Sequence, residues 1–329
     1  MNGGPGWLIV AAAALLASAP AAARPPPAAA DLTGYWSLSS WTQLQRPRKV
    51  KSLVLTPAEA KAWEAELAKT GGILLGGPDE LGQIESEFNE SGEGLARIRG
   101  QFRSSWIVST ADGRFPYTAA ARKRLREAQE SFDNPEDRPQ SERCLASNGS
   151  SPPLLSTQDS NLVQIVQTRD HLAVVGEKNH DWRVIPIGGP RDPGQPATWS
   201  GVSNARWEGA TLVVETDRFR YPEIDRDFLV HSGRARITER FTRLSPEELL
   251  YAYTVVDPDI YVTPWSAEML LKRSAKPPFE YACHEGNYSL PTILQAARLG
   301  RQEPPKPAAP PPPATKPLGA GRPPSPPPG

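Results

Sequence analysis

Cysteine is scarce in this 329-residue chain: there are two, Cys144 and Cys283. Two thiols are too few for a disulfide-dense scaffold or a four-cysteine zinc site. Net charge is also absent, with 37 basic residues balanced by 37 acidic ones. No basic block and no aromatic-basic interleaving occurs, which argues against a nucleic-acid partner. Histidine is limited to positions 171, 180, 231 and 284, with no His-x-His or His-x-x-x-His spacing, so no metal site and no cofactor is expected. Gly76-Gly77-Pro78 lacks the Gly-Lys-Ser/Thr continuation of a phosphate loop.

Long apolar runs are missing except at the start. Residues 7–23 form an Ala-rich run ending in small residues, the pattern of a secretory h-region with an Ala-x-Ala-like cleavage site before Arg24. The segment 1–23 is therefore expected to be a signal peptide, and the protein to be periplasmic or secreted, with no membrane contact once the peptide is removed. An uncleaved anchor is the alternative, since no Lys or Arg precedes the run. At the other end, residues 302–329 are mostly Pro, Ala, Gly, Ser and Lys, with Leu318 the only large aliphatic. Such a segment cannot bury enough apolar surface to order itself and is expected to stay disordered. It is read as a solvated tail, or else as a spacer or docking segment. Between the two ends, residues 31–301 suffice for one monomeric domain.

In an exported chain the two cysteines most simply pair with each other, closing a loop of more than a hundred residues. The alternative is two free thiols, one a nucleophile beside His284.

Period-two patterning dominates the second half of the chain. Arg206–Thr216 reads as a short strand, a glycine turn at Gly209 and a longer strand. Leu162–Gln167, Leu172–Glu177, His180–Ile187, Arg234–Thr242, Leu249–Val256, Ser266–Lys272 and Phe279–Cys283 are further expected strands. Turn residues such as Asp257-Pro258-Asp259 separate them. About eight strands at this spacing imply a mainly β, antiparallel meander that closes as a barrel or packs as a sandwich. An annex over about residues 56–130 should be helical in part. Thr56-Pro57-Ala58-Glu59 is a capping box opening a helix with Ala58, Ala62, Trp63 and Leu67 on its apolar side. Arg103–Ser109 reads as a strand, and 119–130 as a basic helix with a solvated face. Ser289–Leu299 reads as a terminal helix with Leu290, Ile293, Leu294 and Ala297 on one face.

Asp31–Leu38 is the expected first strand, and its Gly34-Tyr35-Trp36 resembles the opening of lipocalin-like barrels, in which the Trp closes one end. A wider resemblance rests on Asp112–Thr118, Glu142-Arg143-Cys144, Arg206–Thr216, Glu239–Thr242, Asp257-Pro258, Pro264-Trp265 and Tyr281–Tyr288 taken in order. The set resembles a large family of exported bacterial proteins that carry Arg-Trp-Glu-Gly-x-Thr-Leu-Val-Val and Tyr-Ala-Cys-His-Glu-Gly-Asn-Tyr blocks. It covers about residues 100–300, implies export and a β domain, and brings no chemistry with it. Gly201-Val202-Ser203-Asn204-Ala205 departs from the acidic stretch the resemblance leads one to expect, and a hairpin rather than a helix follows it, so it is not a nucleophile elbow.

The leading expectation is a lipocalin-like barrel that binds a small apolar or aromatic molecule. Trp182, Arg183, Trp199, Trp207, Trp265 and Tyr281 are its candidate ligand-binding residues. An enzyme of the same fold, a lyase, isomerase or hydrolase, is the second reading, with His180, His284, Glu285 and Glu208 as candidate acid–base groups. On a continuing strand His284 and Glu285 would face opposite ways, and so would His180 and Arg183. Glu239 and Asp257 are further carboxylates, although strand-end carboxylates more often cap turns or pair with arginines. A structural envelope protein docking through its Pro-rich tail is the third reading.

Overall fold

The computed structural model describes residues 30–70, 92–132, 134–140, 142–145, 149–156, 160–220, 223–224 and 229–300. The expected signal peptide, the Pro-rich tail and the Gly71-Gly72 helix stop lie outside them.

The described chain is mainly β. Its strands are β1 (Gly34–Ser37), β2 (Val54–Leu55), β3 (Arg97–Ile98), β4 (Gln101–Arg103), β5 (Leu162–Gln167), β6 (His171–Gly176) and β7 (Trp182–Pro186). They continue as β8 (Val202–Glu208), β9 (Thr211–Asp217), β10 (Glu223–Ile224), β11 (Leu229–His231), β12 (Arg236–Arg243), β13 (Glu248–Val256) and β14 (Trp265–Ser274). Nine of them form one antiparallel sheet in the order β7-β6-β5-β1-β14-β13-β12-β9-β8. Hairpin after hairpin follows the expected meander: alternating apolar residues give β6, β7 and β12 one buried face, while β9, β13 and β14 are buried on both faces over part of their length. On β12, Ile237, Glu239 and Phe241 are buried, while Arg236 and Arg240 are exposed.

The sheet is curled. Strands six places apart in a flat sheet would lie about 29 Å from each other, yet Arg183 on β7 holds Glu239 on β12 at 2.5 Å. The first and last strands of the order meet where Ile187, one residue past β7, bridges Ala205 on β8, and Gly188 N donates to Ala205 O at 2.7 Å.

Trp36 sits on the short first strand at 0% exposure and donates Nε1 to Leu32 O at 3.0 Å. The guanidiniums of Arg243 and Arg273 lie over its ring at 5.0 and 5.4 Å, and they donate to Asp31 O and Thr33 O. Gly34 makes this packing possible: its φ is +153°, and a Cβ there would lie 2.6 Å from Arg273 Nη1. Gly34→Ala is therefore expected to cost about 1–3 kcal/mol, read as a lower urea midpoint. An unchanged midpoint would show that Arg273 simply swings aside.

The annex has a small core of its own. Helix α1 (Pro57–Leu67) begins at the expected capping box: Thr56 Oγ1 accepts from Glu59 N, and Glu59 accepts from Thr56 N. Its buried face is Ala60, Trp63 and Leu67, with Leu55 and Leu95 beside them. Ala58 and Ala62, expected on that face, are exposed. The stripe begins at Ala60 because 60, 63 and 67 fall one above another at helical spacing. Strands β2, β4 and β3 form a three-stranded sheet next to it.

Three expectations need correction. Arg103–Ser109 is not a strand beyond Arg103: isolated bridges at Ser105 and Ile107 carry the chain from Gln43 across to Ala267, burying Trp106 and Ile107. The expected short-then-long hairpin has two strands of seven residues, since β8 begins at Val202. Phe279–Cys283 is not a strand; it runs as irregular chain into a turn. Glu280 and Ala282 are exposed, Tyr281 is half-buried, and the backbone of this stretch is held by a side chain, Phe279 N approaching Glu177 Oε2 at 3.4 Å.

Helix α2 (Ala119–Glu130) is capped by Thr118, and its Arg122, Lys123, Arg124 and Arg126 are exposed, a solvated face as expected. In α3 (Ser289–Gly300), Leu294 is buried and Leu290, Ile293 and Ala297 are half-buried, the four residues expected on one face. Cys144 and Cys283 form a disulfide with Cα atoms 5.7 Å apart. No helix among the described residues is long and apolar enough to cross a membrane.

Candidate functional site

The buried face of the sheet carries one fully enclosed charge pair. Glu239 occupies the apolar phase of β12 and Arg183 the apolar phase of β7, so alternation alone turns both inward. Arg183 Nη1 and Nη2 donate to Glu239 Oε2 and Oε1 at 2.8 and 2.5 Å, a two-pronged pair that matches guanidinium to carboxylate geometry. Tyr251 on β13 donates its hydroxyl to Glu239 Oε1 at 2.8 Å and accepts from Leu154 N at 2.8 Å. Arg183 Nη1 also reaches Ser203 Oγ at 3.4 Å, and Ser203 Oγ lies 2.8 Å from Thr216 Oγ1. Five side chains from β7, β8, β9, β12 and β13 thus meet at one centre.

Electrostatics keep this centre in one state. Burial alone would lower the Arg183 pKa, but the charge and hydrogen bonds of Glu239 more than offset it and the guanidinium stays charged. Burial, then the Glu239 charge, drives the Tyr251 phenol well above its ordinary range, against the opposing charge of Arg183. Burial likewise raises Tyr253, which faces Glu239 directly across the β12–β13 ladder. Both tyrosines are therefore donors at neutral pH. Among the described residues, Tyr253 Oη and Arg183 Nε are buried without a hydrogen-bond partner.

An aromatic wall continues from this centre. Phe241, Tyr251, Tyr253 and Trp265 follow one another with ring centroids 4.9, 5.3 and 5.6 Å apart. Trp265 then meets Phe115 at 4.9 Å and Tyr261 at 5.6 Å. Over the centre lies Gly149–Leu155, buried throughout. Ser150 Oγ donates to Asp181 Oδ2, Ser151 Oγ is 3.0 Å from Ser200 Oγ, and Leu154 supplies the amide at Tyr251. Gly176 admits this segment, since a Cβ there would stand 2.4 Å from the Gly149 backbone.

Burial raises the Asp181 carboxyl pKa, opposed by hydrogen bonds from Ser150 and Trp182 and by the Arg183 charge. A raised carboxyl favours the fold when protonated, so its contribution is complete below the unfolded value and is lost as pH climbs from 3.8 through the raised value. Asp181→Asn should remove this part of the acid-to-neutral decline in stability, measured as urea midpoints across that window. A decline that is undiminished in the variant would refute the assignment.

The candidates named from the sequence scatter. Arg183 and Trp265 reach the buried face, at 7% and 1% exposure. Trp182 is 65% exposed on the opposite face of β7. Trp199, Trp207 and Tyr281 are half-buried; Trp207 packs against the core from its edge, and Lys178 Nζ lies 5.0 Å from the Tyr281 ring. The expectation that the four tryptophans line one cavity is therefore corrected: Trp182 falls in the outward phase of β7, Trp199 lies in the turn before β8, Trp207 is near the end of β8, and Trp265 alone of the four is fully buried. His180 ends a single 3-10 turn (Lys178–His180) and is exposed, as are His284 and Glu285 in the turn after Cys283. The face assignment of His284 and Glu285 lapses with the absent strand. Glu208 is an exposed strand-end carboxylate held by Arg206 and Arg240, and the hydrogen bond from Arg240, then that from Arg206, lowers its pKa. Asp257 caps a turn, accepting from Ser232 N, Ser232 Oγ and Asp259 N. Among the described residues, no group of three His, Cys, Asp or Glu could hold a metal ion.

Tyr251, Tyr253 and Thr216 are not among the residues the sequence points to, and Ser203 enters there only within Gly201–Ala205, which is set aside as a nucleophile elbow. A signal existed for Glu239: it interrupts the run Ile237, Phe241 in the apolar phase, where a charge needs a partner.

No family model, curated protein or solved structure matches the chain.

Proposed function

We propose that the nine strands close as a lipocalin-like barrel in an exported protein, and that the buried face binds a small aromatic or apolar molecule bearing one hydrogen-bond acceptor. The observation that carries this reading is the aromatic wall running beside the Arg183–Glu239–Tyr251 centre, with the Tyr253 hydroxyl and Arg183 Nε left as buried donors. Buried donors seek partners, and a ligand carbonyl, hydroxyl or carboxylate supplies one. The Ile187–Ala205 bridge between the outermost strands and the guanidinium-capped Trp36 support the barrel. Gly149–Leu155 forms the inner cover that such a ligand would share or displace. The disulfide supports export.

Acid–base catalysis draws less support. His180, His284, Glu285 and Glu208 are all exposed, and none of them touches the buried centre.

The test is a titration of the purified protein with a panel of small aromatic acids, phenols and aliphatic acids, followed by calorimetry and thermal shift. A member of the panel should bind one to one, and Tyr253→Phe should weaken it by about tenfold through the lost hydrogen bond. A panel with no binder, or a binder indifferent to Tyr253→Phe and to Arg183→Met, would sink the proposal.

A further inference from the structure

The outer face of β5, β6 and β7 is unusual for a surface. Register places Val175 opposite Trp182, Ala173 between Val166 and Val184, and Pro186 opposite His171. All of these lie in the outward phase, while Val174, Arg183 and Ile185 turn inward. Trp182 is 65% exposed, Val184 50% and Val166 38%. Elsewhere the outward phase is polar on β12, with Arg236, Thr238 and Arg240, while the apolar Val213, Leu250 and Leu270 in that phase are at most 4% exposed and Val256 is 41% exposed. A contiguous exposed apolar patch containing a tryptophan on one corner of the sheet marks a contact surface.

The end of the chain is held on that corner. Phe279 N approaches Glu177 Oε2 at 3.4 Å, Lys178 Nζ lies over the Tyr281 ring, and Cys283 is bonded to Cys144. Asn179 Nδ2 donates to Leu145 O, and Asn287 Nδ2 to Glu142 O. Residues 177–180 lead directly into Trp182, so the stretch that precedes α3 is tied to the turn next to the patch. Beyond α3 come 29 residues, Arg301 to Gly329, of which thirteen are proline. From Gly300 to the Pro310–Pro313 run, a polyproline backbone extends about 30 Å, more than the roughly 18 Å length of α3. The run is therefore long enough to fold back along the whole of α3 toward the turn that carries Lys178 and leads into Trp182. Proline-rich chain lies readily against exposed aromatic rings because its backbone is already extended and loses little entropy on docking.

We infer that the Pro-rich segment around Pro304–Pro313 docks in cis on the outer patch formed by Trp182, Val184 and Val166. This does not rest on the interior ligand site, since the patch faces the other way. It also gives Trp182 a role that the cavity reading could not.

The experiment compares the full chain with a chain ending at Arg301, and each with its Trp182→Ala counterpart. Acrylamide quenching attributable to Trp182 should rise on truncation, and a synthetic peptide of residues 302–329 should restore the protection in trans. Trp182→Ala should weaken binding of that peptide to the truncated chain by about tenfold or more. Equal quenching of Trp182 in the full and truncated chains overturns the inference. So does a truncated chain whose Trp182 stays protected while its mass doubles with concentration, because a second copy is then the occupant.

Discussion

Glu239→Ala should cost about 3–5 kcal/mol, the penalty of leaving the buried Arg183 guanidinium without its counter-charge. The effect is large because the variant discards attraction without removing the cost of burial. Arg183 is at 7% exposure and Glu239 at 0%, so water cannot replace the lost carboxylate. Tyr251 would also lose the acceptor for its hydroxyl. The paired variant Arg183→Met with Glu239→Leu should be far closer to the parent, since apolar groups of similar volume fill the same place without a charge to desolvate. Urea unfolding of the four members of the cycle gives the coupling directly. If Glu239→Ala were no worse than the double variant, the pair would not be a closed buried centre. The ligand reading loses its anchor at the same time.

Breaking the disulfide should have the second largest effect. Cys144 and Cys283 are 139 residues apart, and in the chain-entropy model their bond lowers the entropy of the unfolded chain by about 5 kcal/mol in free-energy terms. Cys144→Ser with Cys283→Ser should therefore lower the urea midpoint strongly. The described contacts predict which part loosens first. The stretch 279–287 is held by few groups: Phe279 at Glu177, Tyr281 under Lys178, and Asn287 at Glu142. Hydrogen exchange should rise there and in α3 before it rises in β12 and β13, whose ladder is buried on the aromatic wall. Equal midpoints for the parent under oxidising and reducing conditions would contradict the expectation. Uniform exchange throughout the chain would show instead that the bond supports the sheet as a whole.

The legible part of the fold was the part written in local chemistry. The capping box at Thr56 and Glu59 announced α1, because cap geometry depends on residues three apart. Leu290, Ile293, Leu294 and Ala297 announced α3 through helical spacing. Alternation revealed the hairpins. It misled at Phe279–Cys283, where aromatic and small residues imitate a strand but no partner strand is offered. It failed again at Ser105–Ile107, where single bridges to Gln43 and Ala267 replace a ladder. Both errors share one cause: a strand needs a neighbour, and neighbours are set by the sheet.

The site was legible only in fragments. Arg183 was singled out, whereas Glu239 was read only as one of several carboxylates that cap turns or pair with arginines. Their meeting joins the first and seventh strands of the sheet order, 56 residues apart in the chain. Tyr251 and Tyr253 look like ordinary strand residues until burial turns their phenols into enclosed donors.

The sequence by itself determined the elements and their buried phases, because φ/ψ preference, capping and side-chain alternation act over a few residues. It also made a Cys144–Cys283 bond the simplest pairing, with two free thiols as the alternative, and the structure forms the bond. Tertiary structure alone decided which inward side chains meet, since curling the sheet brings its distant strands within hydrogen-bond reach. Trp182 faces outward and Arg183 inward by strand alternation, but only the curl of the sheet gives Arg183 its partner Glu239 in the interior of this protein.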